Sequence, residues 1–385
     1  MNKLAKMFKE NISRYTIALI TIGIVIVFQL LTGGMILRPM NITNLIIQNA
    51  YVIVLGVGQM LLVKAGGLCD MSVGSLCALS GGLCGLWIIK GGMNTYVALA
   101  LVLLVSILVG LWNAILVAKI KISAYIATLA SQLIVRGLTF FILQGKSYTL
   151  FPENFTSWCT GYIPDFFHGD GLHLTTLLIG AVLSVIVVIL QIRSRNEKRK
   201  YEVEVSSAVS FILLQILIVG FIMIMSYALA LYNGAPKVLI IVGVIVIIYS
   251  FIVSKTVIGR HIIAVGGNRM AAVLSGVKDD RVIFGIYMNS AVIAAFAGVI
   301  YAARMNACSC NVGTGFEADA IAACYIGGGI SSGSIIGAML GALIIGLLNN
   351  GMSILGIASD IQMCVKGFVL VAAVTLDIMQ SKKRR

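Results

Sequence analysis

The chain has 385 residues, of which 59% are hydrophobic and 11% are charged, and its mean hydropathy is +1.03. Soluble domains carry about a quarter charged residues, so this composition excludes a soluble globular protein and predicts many membrane crossings. The net charge of +14 comes from basic residues scattered at the ends of apolar runs. That distribution argues against a nucleic-acid partner and follows the preference for Lys and Arg on the cytoplasmic side of membranes.

Apolar runs of roughly the length of a membrane span recur along the chain. A hydrocarbon core of about 30 Å needs about 20 apolar residues in a helix that rises about 1.5 Å per residue. The first run is longer than the apolar region of a signal peptide and lacks a cleavage site, so it predicts an uncleaved first span. The runs lie at about 15–36, 43–63, 71–89, 96–117, 123–143, 174–192, 205–232, 238–254, 282–303, 335–349 and 362–379.

The basic residues orient these runs. With the N-terminus on the cytoplasmic side, most Lys and Arg residues fall in cytoplasmic loops. These runs alone would leave the basic tail at 382–385 outside, so one more crossing is needed. The segment ADAIAACYIGGGI at 318–330 supplies it as a short or broken helix of about 20 Å. We therefore expect an all-α polytopic membrane protein with about twelve transmembrane helices and cytoplasmic N- and C-termini.

Polar side chains inside the spans are candidates for a translocation path, because their burial in a membrane is unfavourable. Most are amides, which favours a neutral polar solute, whereas hydrogen bonding between helices is the alternative for each of them. Asp70 precedes the third apolar run and is also a good N-cap for that span. The residues that we expect to line a path are Gln48, Asn49, Asp70, Asn113, Gln132 and Asn349. Further ionisable candidates in or beside the spans are Arg136, Glu317, Asp319 and Lys366.

Motifs of catalysis and nucleotide binding are missing from the sequence. It contains no H-E-x-x-H, no G-x-S-x-G and no P-loop. The eight cysteines lie mostly in or beside apolar runs, which is typical of small packing residues. We therefore expect the chain not to be an enzyme and to carry no metal and no cofactor. If ATP drives the protein, a partner subunit hydrolyses it.

Five ordered stretches resemble one family. They are GGLCDMSVGS (66–75), AVGGNRMAAVLSGV (264–277), GFEADAIAACYIGGG (315–329), NNGMSILGI (349–357) and VKGFVLVAAVTLD (365–377). Together they are similar to the permease subunits of bacterial ABC sugar importers of the ribose, galactose and xylose branch, most of all the xylose type. The resemblance covers nearly the whole chain.

The resemblance implies one transmembrane permease domain over 1–385 with a type II importer fold. Its ten-helix core would carry an extra helix pair at about 174–232, and a cytoplasmic ATPase-coupling loop at about 258–281. The implied partners are a second permease copy, a cytoplasmic ABC ATPase, an extracytoplasmic sugar-binding protein and membrane lipid, with no nucleic acid. The implied location is the bacterial inner membrane, and the implied substrate is a xylose-type pentose or a galactose-type hexose.

The coupling loop is expected to hold a short helix against which the ATPase docks. Its two glycines would allow a sharp entry turn, and Asn268 would cap the helix. Ala271, Ala272 and Leu274 would form a small packing face. Met270 stands where the family pattern has Glu, which replaces a charged contact by an apolar one. The residues implied to form the coupling site are Gly266, Gly267, Asn268, Ala271, Ala272, Ser275 and Gly276.

Two other functions compete with this interpretation. An ion-coupled secondary transporter of a small polar solute could use Asp70, Glu317 or Asp319, although carboxylates are missing from the middle of the spans. A membrane enzyme could hold a metal between His168 and His173 in the loop at 144–173, but the chain has only 3 His residues. Both alternatives are weaker than the importer.

Overall fold

The computed structural model of the protein describes residues 20–167, 169, 171–201 and 207–384. Helices dominate this part of the chain, and their bounds follow in chain order. They are α1 Ile20–Leu31, α2 Pro39–Lys64, α3 Val73–Cys84, α4 Thr95–Ala114, α5 Ala124–Leu143, α6 Glu153–Thr160, α7 Leu174–Lys200, α8 Ala208–Ala230, α9 Val238–Lys255, α10 Val257–Gly267, α11 Arg269–Leu274, α12 Asp279–Met305, α13 Phe316–Ile326, α14 Gly329–Ser332, α15 Ile335–Ile354 and α16 Ser359–Arg384.

Two π-helical turns and two short strands complete the described part of the fold. Helices α3 and α4 each continue as a wider π-helical turn, over Gly85–Lys90 and Ile115–Lys119. The strands β1, Tyr148–Thr149, and β2, Ala307–Cys308, pair in antiparallel fashion. The all-α polytopic class predicted from composition is confirmed.

Among the described residues, ten helices are long and apolar enough to cross a membrane. Shorter helices accompany them, among them α1 and α13. The 11 residues of α13 rise only about 16 Å, which matches the short crossing expected at 318–330. This helix survives at membrane depth because α2, α15 and α16 surround it.

The long helices run between two opposite faces of the molecule. We call the face that carries α10 and α11 the loop face, and the face that carries β1 and β2 the hairpin face. Helix α12 ends beside β2 at the hairpin face. Ile330 of α14 packs at the loop face against Gly67, where an added Cβ would lie 2.9 Å from Ile330 Cδ1. Helix α13 therefore leads from the hairpin side to the loop face.

Small residues allow the inner helices to pack closely. Helix α2 is the most enclosed of the long helices, with 89% of its membrane window buried. A Cβ on Gly298 would lie 2.5 Å from the Cys77 carbonyl oxygen, so α12 and α3 touch through their backbones. A Cβ on Gly341 would lie 2.0 Å from the carbonyl oxygen of Ala323, so α15 and α13 do the same. These contacts require glycine and fix the helices that surround the candidate site.

The helix pair α7 and α8 covers the region of about 174–232 in which the resemblance implies an extra pair, and it lies at the edge of the fold. Gln215 Nε2 of α8 donates a hydrogen bond to Gln191 Oε1 of α7 at 2.6 Å. Only 22% and 6% of their respective membrane windows are buried. Their apolar surfaces therefore face lipid or a partner.

Candidate functional site

The predicted coupling segment forms two helices, α10 and α11, joined at Asn268. Asn268 has an extended backbone, and its Oδ1 accepts a hydrogen bond from the amide of Ala271 at 3.0 Å. The predicted N-cap is therefore confirmed. Helix α11 ends as expected, because Ser275 follows it and Gly276 adopts the left-handed conformation at φ 88°.

The two glycines of this segment act differently from the expectation. Both lie in the last turn of α10, and the chain turns at Asn268 instead. Gly266 lies against α2, and a Cβ there would be 1.8 Å from the carbonyl oxygen of Lys64. Gly267 faces open space, with no atom within 4 Å of an added Cβ. Gly266 thus sets the distance between α10 and the helix bundle, whereas Gly267 lies on the outer surface.

Helix α11 presents apolar side chains outward. Ala272 packs inward at 6% exposure, whereas Met270 is 71% and Leu274 is 82% exposed. Of the three residues expected to form a packing face, Ala272 packs against the protein, whereas Ala271 and Leu274 are exposed. At 3.6 residues per turn, the side chains at 270 and 274 share one face of the helix. Exposed apolar side chains on one helix face are typical of a docking surface.

An ion pair joins α11 to the long helix α12. Arg269 Nε donates to Asp279 Oδ2 at 2.7 Å, across the turn between the two helices. Helix α12 also packs closely against α2, α3 and α4 in the interior. The ion pair therefore ties α11 to a helix that packs through the interior of the bundle.

Asp70 lies at the centre of a buried hydrogen-bond network in the loop between α2 and α3. Its carboxylate is fully buried and accepts hydrogen bonds from the Ser72 amide at 2.9 Å, Ser72 Oγ at 2.6 Å and Ser290 Oγ at 2.7 Å. Asn113 Nδ2 of α4 donates to Ser72 Oγ at 2.9 Å. Tyr287 of α12 donates to the carbonyl of Cys69 at 3.0 Å. The network ties this loop to both α4 and α12.

The same loop forms one wall of a cavity of about 410 Å³ at the loop face. The opposite wall is the turn between α4 and α5 at 121–125, and Arg269 of α11 lies at its edge. Polar and apolar groups both line it. A cavity of this size holds a small polar solute.

A second polar cluster lies on α5 and the segment that leads into α13. Arg136 Nη1 donates to the carbonyls of Cys310 at 2.8 Å and Val312 at 2.5 Å. Gln132 Nε2, one helical turn away, donates to Glu317 Oε1 at 3.0 Å. Both α5 side chains are half-buried. The cluster holds irregular backbone at membrane depth, where its carbonyls would otherwise lack donors.

Helix α13 is held on its other side by a buried ion pair. Lys366 Nζ of α16 lies 2.9 Å from Asp319 Oδ2, and the Asp319 side chain is only 3% exposed. Asp377, also on α16, accepts a hydrogen bond from the Ile330 amide at 3.4 Å. Helix α16 therefore anchors both α13 and α14.

The structure distributes the predicted path residues over several places. Asp70 and Asn113 belong to one network, and Gln132 belongs to the α5 cluster. Asn49 is buried on α2 beside Gly346, where a Cβ would lie 1.7 Å from Asn49 Nδ2. The remaining two residues are half-buried, one on α2 and the other on α15. They are Gln48 and Asn349.

Sequence reasoning missed Ser290 and Tyr287, because a hydroxyl in an apolar run carries no local sign of its partner. It noted Arg136 without assigning it the carbonyls that it binds. His168 lies outside the described residues, and His173 is the N-cap residue of α7. Within the described residues, no group of three or more His, Cys, Asp or Glu side chains is arranged to hold a metal ion.

Comparison with known proteins identifies the family to which the chain is similar. The family model described as "Branched-chain amino acid transport system / permease component" matches residues 41–374. The chain is 32% identical to the xylose transport system permease protein XylH of Haemophilus influenzae over 98% of this chain and 99% of the relative. It is 30% identical to the XylH protein of Escherichia coli K12 over 97% and 93%, respectively.

A ribose permease is similar as well. The ribose import permease protein RbsC of Escherichia coli K12 is 30% identical over 88% of this chain and 85% of the relative. No solved structure matches the chain significantly. The family and these relatives are transport permease components, not enzymes. The chain therefore belongs to the family of permease components described for the branched-chain amino acid transport system.

Proposed function

We propose that the protein is the membrane permease subunit of an ATP-binding-cassette importer that moves a monosaccharide across the bacterial inner membrane. The observation that carries this proposal is the capped helix α11, which exposes Met270 and Leu274 at the loop face. Exposed apolar side chains on a short, fixed helix suit docking by another protein. The sequence has no P-loop, so that partner would bind and hydrolyse ATP.

We place the loop face in the cytoplasm, because most basic residues then lie in cytoplasmic loops. In this orientation the ATPase subunit docks on α11 from the cytoplasm. Its movement reaches α12 through the pair of Arg269 and Asp279, and then reaches the loop around Asp70. That loop lines the cavity at the loop face, so the displacement would change the width of the sugar exit.

A second copy of the chain is the partner proposed for the surface formed by α5, α13 and α16. Gln132 and Arg136 are half-buried there at membrane depth, and the Lys366 side chain is 28% exposed. Charged groups that face hydrocarbon are unfavourable by several kcal/mol, on the order of 3 on insertion scales. A second copy that encloses a water-filled path would solvate these groups.

The substrate proposed is a neutral monosaccharide of the xylose type, with a galactose-type hexose as the second choice. The similarity to two xylose permeases spans nearly the whole chain and supports the first choice. An extracytoplasmic sugar-binding protein would deliver the sugar at the hairpin face. Amide donors and acceptors such as those of the half-buried Gln48 and Gln132 suit hydroxyl groups better than they suit an ion.

A pair of matched substitutions tests the docking surface. Leu274→Asp places a charge on an exposed site of α11, so we expect a folded permease that no longer retains the ATPase during copurification. Leu150→Asp, at an 80% exposed site near β1 on the hairpin face, should retain it. Retention of the ATPase by Leu274→Asp at the level of the unchanged protein would overturn the docking assignment.

A further inference from the structure

A mostly apolar cavity of about 600 Å³ lies between α9, α10 and α12, away from the Asp70 network. Leu61, Ile252, Ile262 and Ile286 contribute to its apolar walls. Ile258, which also lines it, is 64% exposed, so the cavity opens at the protein surface. Such walls offer few hydrogen-bonding groups for the hydroxyls of a sugar, whereas they suit the apolar surface of an acyl chain.

Two cations and a histidine line the same cavity at the loop face. Lys278 and Arg281 stand at the start of α12, and His261 stands on α10. Helical periodicity places Lys278 and Arg281 on the side of α12 that faces the cavity, together with Val282 and Gly285. Among the described residues, no carboxylate forms an ion pair with Lys278, Arg281 or His261.

The two acidic residues in the first turn of α12 face away from this cavity. Asp279 pairs with Arg269 at 2.7 Å, and Asp280 lies 3.9 Å from Lys121. Neither carboxylate lines the apolar cavity. The first turn of α12 thus separates its charges, with anions toward the α4–α5 turn and cations toward the cavity. The cavity entrance therefore favours an anionic group.

The depth of the cavity fits one leaflet of a membrane. From Lys278 to Asn289 the helix advances eleven residues, about 16 Å, which is about half of a 30 Å hydrocarbon core. At the inner end, Tyr249 of α9 donates a hydrogen bond to Asn289 Oδ1. This hydrogen-bonded pair closes the inner end of the cavity, and the space between that end and the basic side chains is mostly apolar.

We propose that this cavity binds one anionic phospholipid from the leaflet at the loop face. Its phosphate contacts Lys278, Arg281 and His261, and an acyl chain lies between α9 and α12. Basic pockets between membrane helices are suited to such headgroups. Helix α10 continues into the docking helix α11, so the lipid also fixes the position of the docking surface. This site extends the proposed function and does not depend on which solute is transported.

The test compares lipids on the purified full-length chain without partners. Mixed micelles containing phosphatidylglycerol or phosphatidylcholine are added, and the thermal unfolding midpoint is measured against lipid concentration. We expect only phosphatidylglycerol to raise the midpoint of the unchanged protein. The double substitution Lys278→Gln/Arg281→Gln should raise the phosphatidylglycerol concentration needed for the same midpoint shift about thirtyfold. The reason is that each of the two basic residues contributes a similar share of the affinity for an anionic headgroup, roughly fivefold.

Matched controls separate the site from general charge and folding effects. Lys198→Gln/Lys200→Gln removes two charges from the loop-face end of α7 and should leave the response intact. Gly285→Leu fills the cavity, since a Cβ there meets no atom within 4 Å, and should abolish the response. Gly243 on α9 also has no atom within 4 Å of an added Cβ, but it does not line the cavity. Gly243→Leu should therefore keep the response to phosphatidylglycerol.

Three results would overturn the proposal. One is an equal midpoint shift with phosphatidylcholine, and another is an undiminished shift in Gly285→Leu. The third is an equal shift with water-soluble glycerol phosphate, which would identify an anion site without a lipid. If Gly285→Leu does not fold, the substitutions at the exposed residues Lys278 and Arg281 decide the matter.

Discussion

The carboxylate of Asp70 accepts a hydrogen bond from Ser290 Oγ at 2.7 Å, and this bond joins two residues that are 220 positions apart in sequence. The contact lies where neither residue meets solvent, since Asp70 is 0% and Ser290 1% exposed. It fixes the loop that lines the loop-face cavity to α12, the helix that Arg269 joins to α11. Docking surface and cavity wall are thus attached to one rigid element.

Ser290→Ala tests this attachment. It removes a donor from a fully buried carboxylate, which should destabilise the protein by about 1–3 kcal/mol. The thermal unfolding midpoint of the purified chain measures the loss. Ser254→Ala removes the same group on α9, where the hydroxyl donates to the carbonyl of Ser250 at an exposed site, and should change little. Equal midpoints for the two variants would contradict the role of Ser290.

Adjacent glycines in α10 provide a second, steric test. Gly266→Ala places a Cβ 1.8 Å from the Lys64 carbonyl oxygen, so α10 must move away from α2 and carry α11 with it. We expect lost ATPase coupling in a reconstituted importer. Gly267→Ala adds the same methyl group in open space and should couple normally. The account fails here if both variants retain transport-coupled ATP hydrolysis.

The third prediction concerns the ion pair that anchors α13. Lys366→Met leaves Asp319 buried without its cation, which should destabilise the protein by about 3–5 kcal/mol. Adding Asp319→Leu removes the unpaired charge and should restore much of the stability. Unfolding midpoints of the two variants measure both effects. A double variant no more stable than Lys366→Met would show that the pair does not act as a unit.

The fourth prediction concerns Asp165 on the hairpin face, in the segment before α7. Hydrogen bonds from Thr175 Oγ1 at 2.7 Å, the Thr175 amide and other backbone amides hold the pKa of Asp165 well below its usual 3.8. Because the folded protein favours the carboxylate, this stabilisation is complete above about pH 4 and declines as the pH falls below it.

Limited proteolysis of the segment at 161–173 measures that effect. Asp165→Asn should be cleaved faster than the unchanged protein at pH 7, and the difference should shrink at pH 2–3 with an acid-stable protease. Glu153→Gln removes a negative charge from α6 on the same face and should not raise the rate. A constant difference across this pH range would contradict the assigned role of the carboxylate.

Much of the fold follows from local sequence signals. Apolar runs locate the long helices, and the positive-inside preference requires the extra crossing that appears as α13. Asn268 caps α11 as predicted, because a side-chain cap depends on residues within one turn. These features need no knowledge of distant partners.

The candidate site depends on contacts that sequence does not contain. The partner of Asp70 lies on α12, and Arg136 binds carbonyls 174 and 176 positions away. Gly266 touches the backbone of α2, whereas Gly267 faces open space, although both positions hold the same residue type. Ala272 is buried against the protein and Leu274 is exposed, although both are apolar residues of the same short helix. Only the packed arrangement distinguishes these roles.

Reconstituted transport tests the central claim most directly. The permease, its ATPase and the sugar-binding protein are placed in liposomes, and uptake of labelled xylose and galactose is followed with and without ATP. We expect uptake of a monosaccharide that requires ATP and all three components, and we expect Leu274→Asp to abolish this uptake. Uptake by the permease alone, driven by an ion gradient and unaffected by Leu274→Asp, would contradict it.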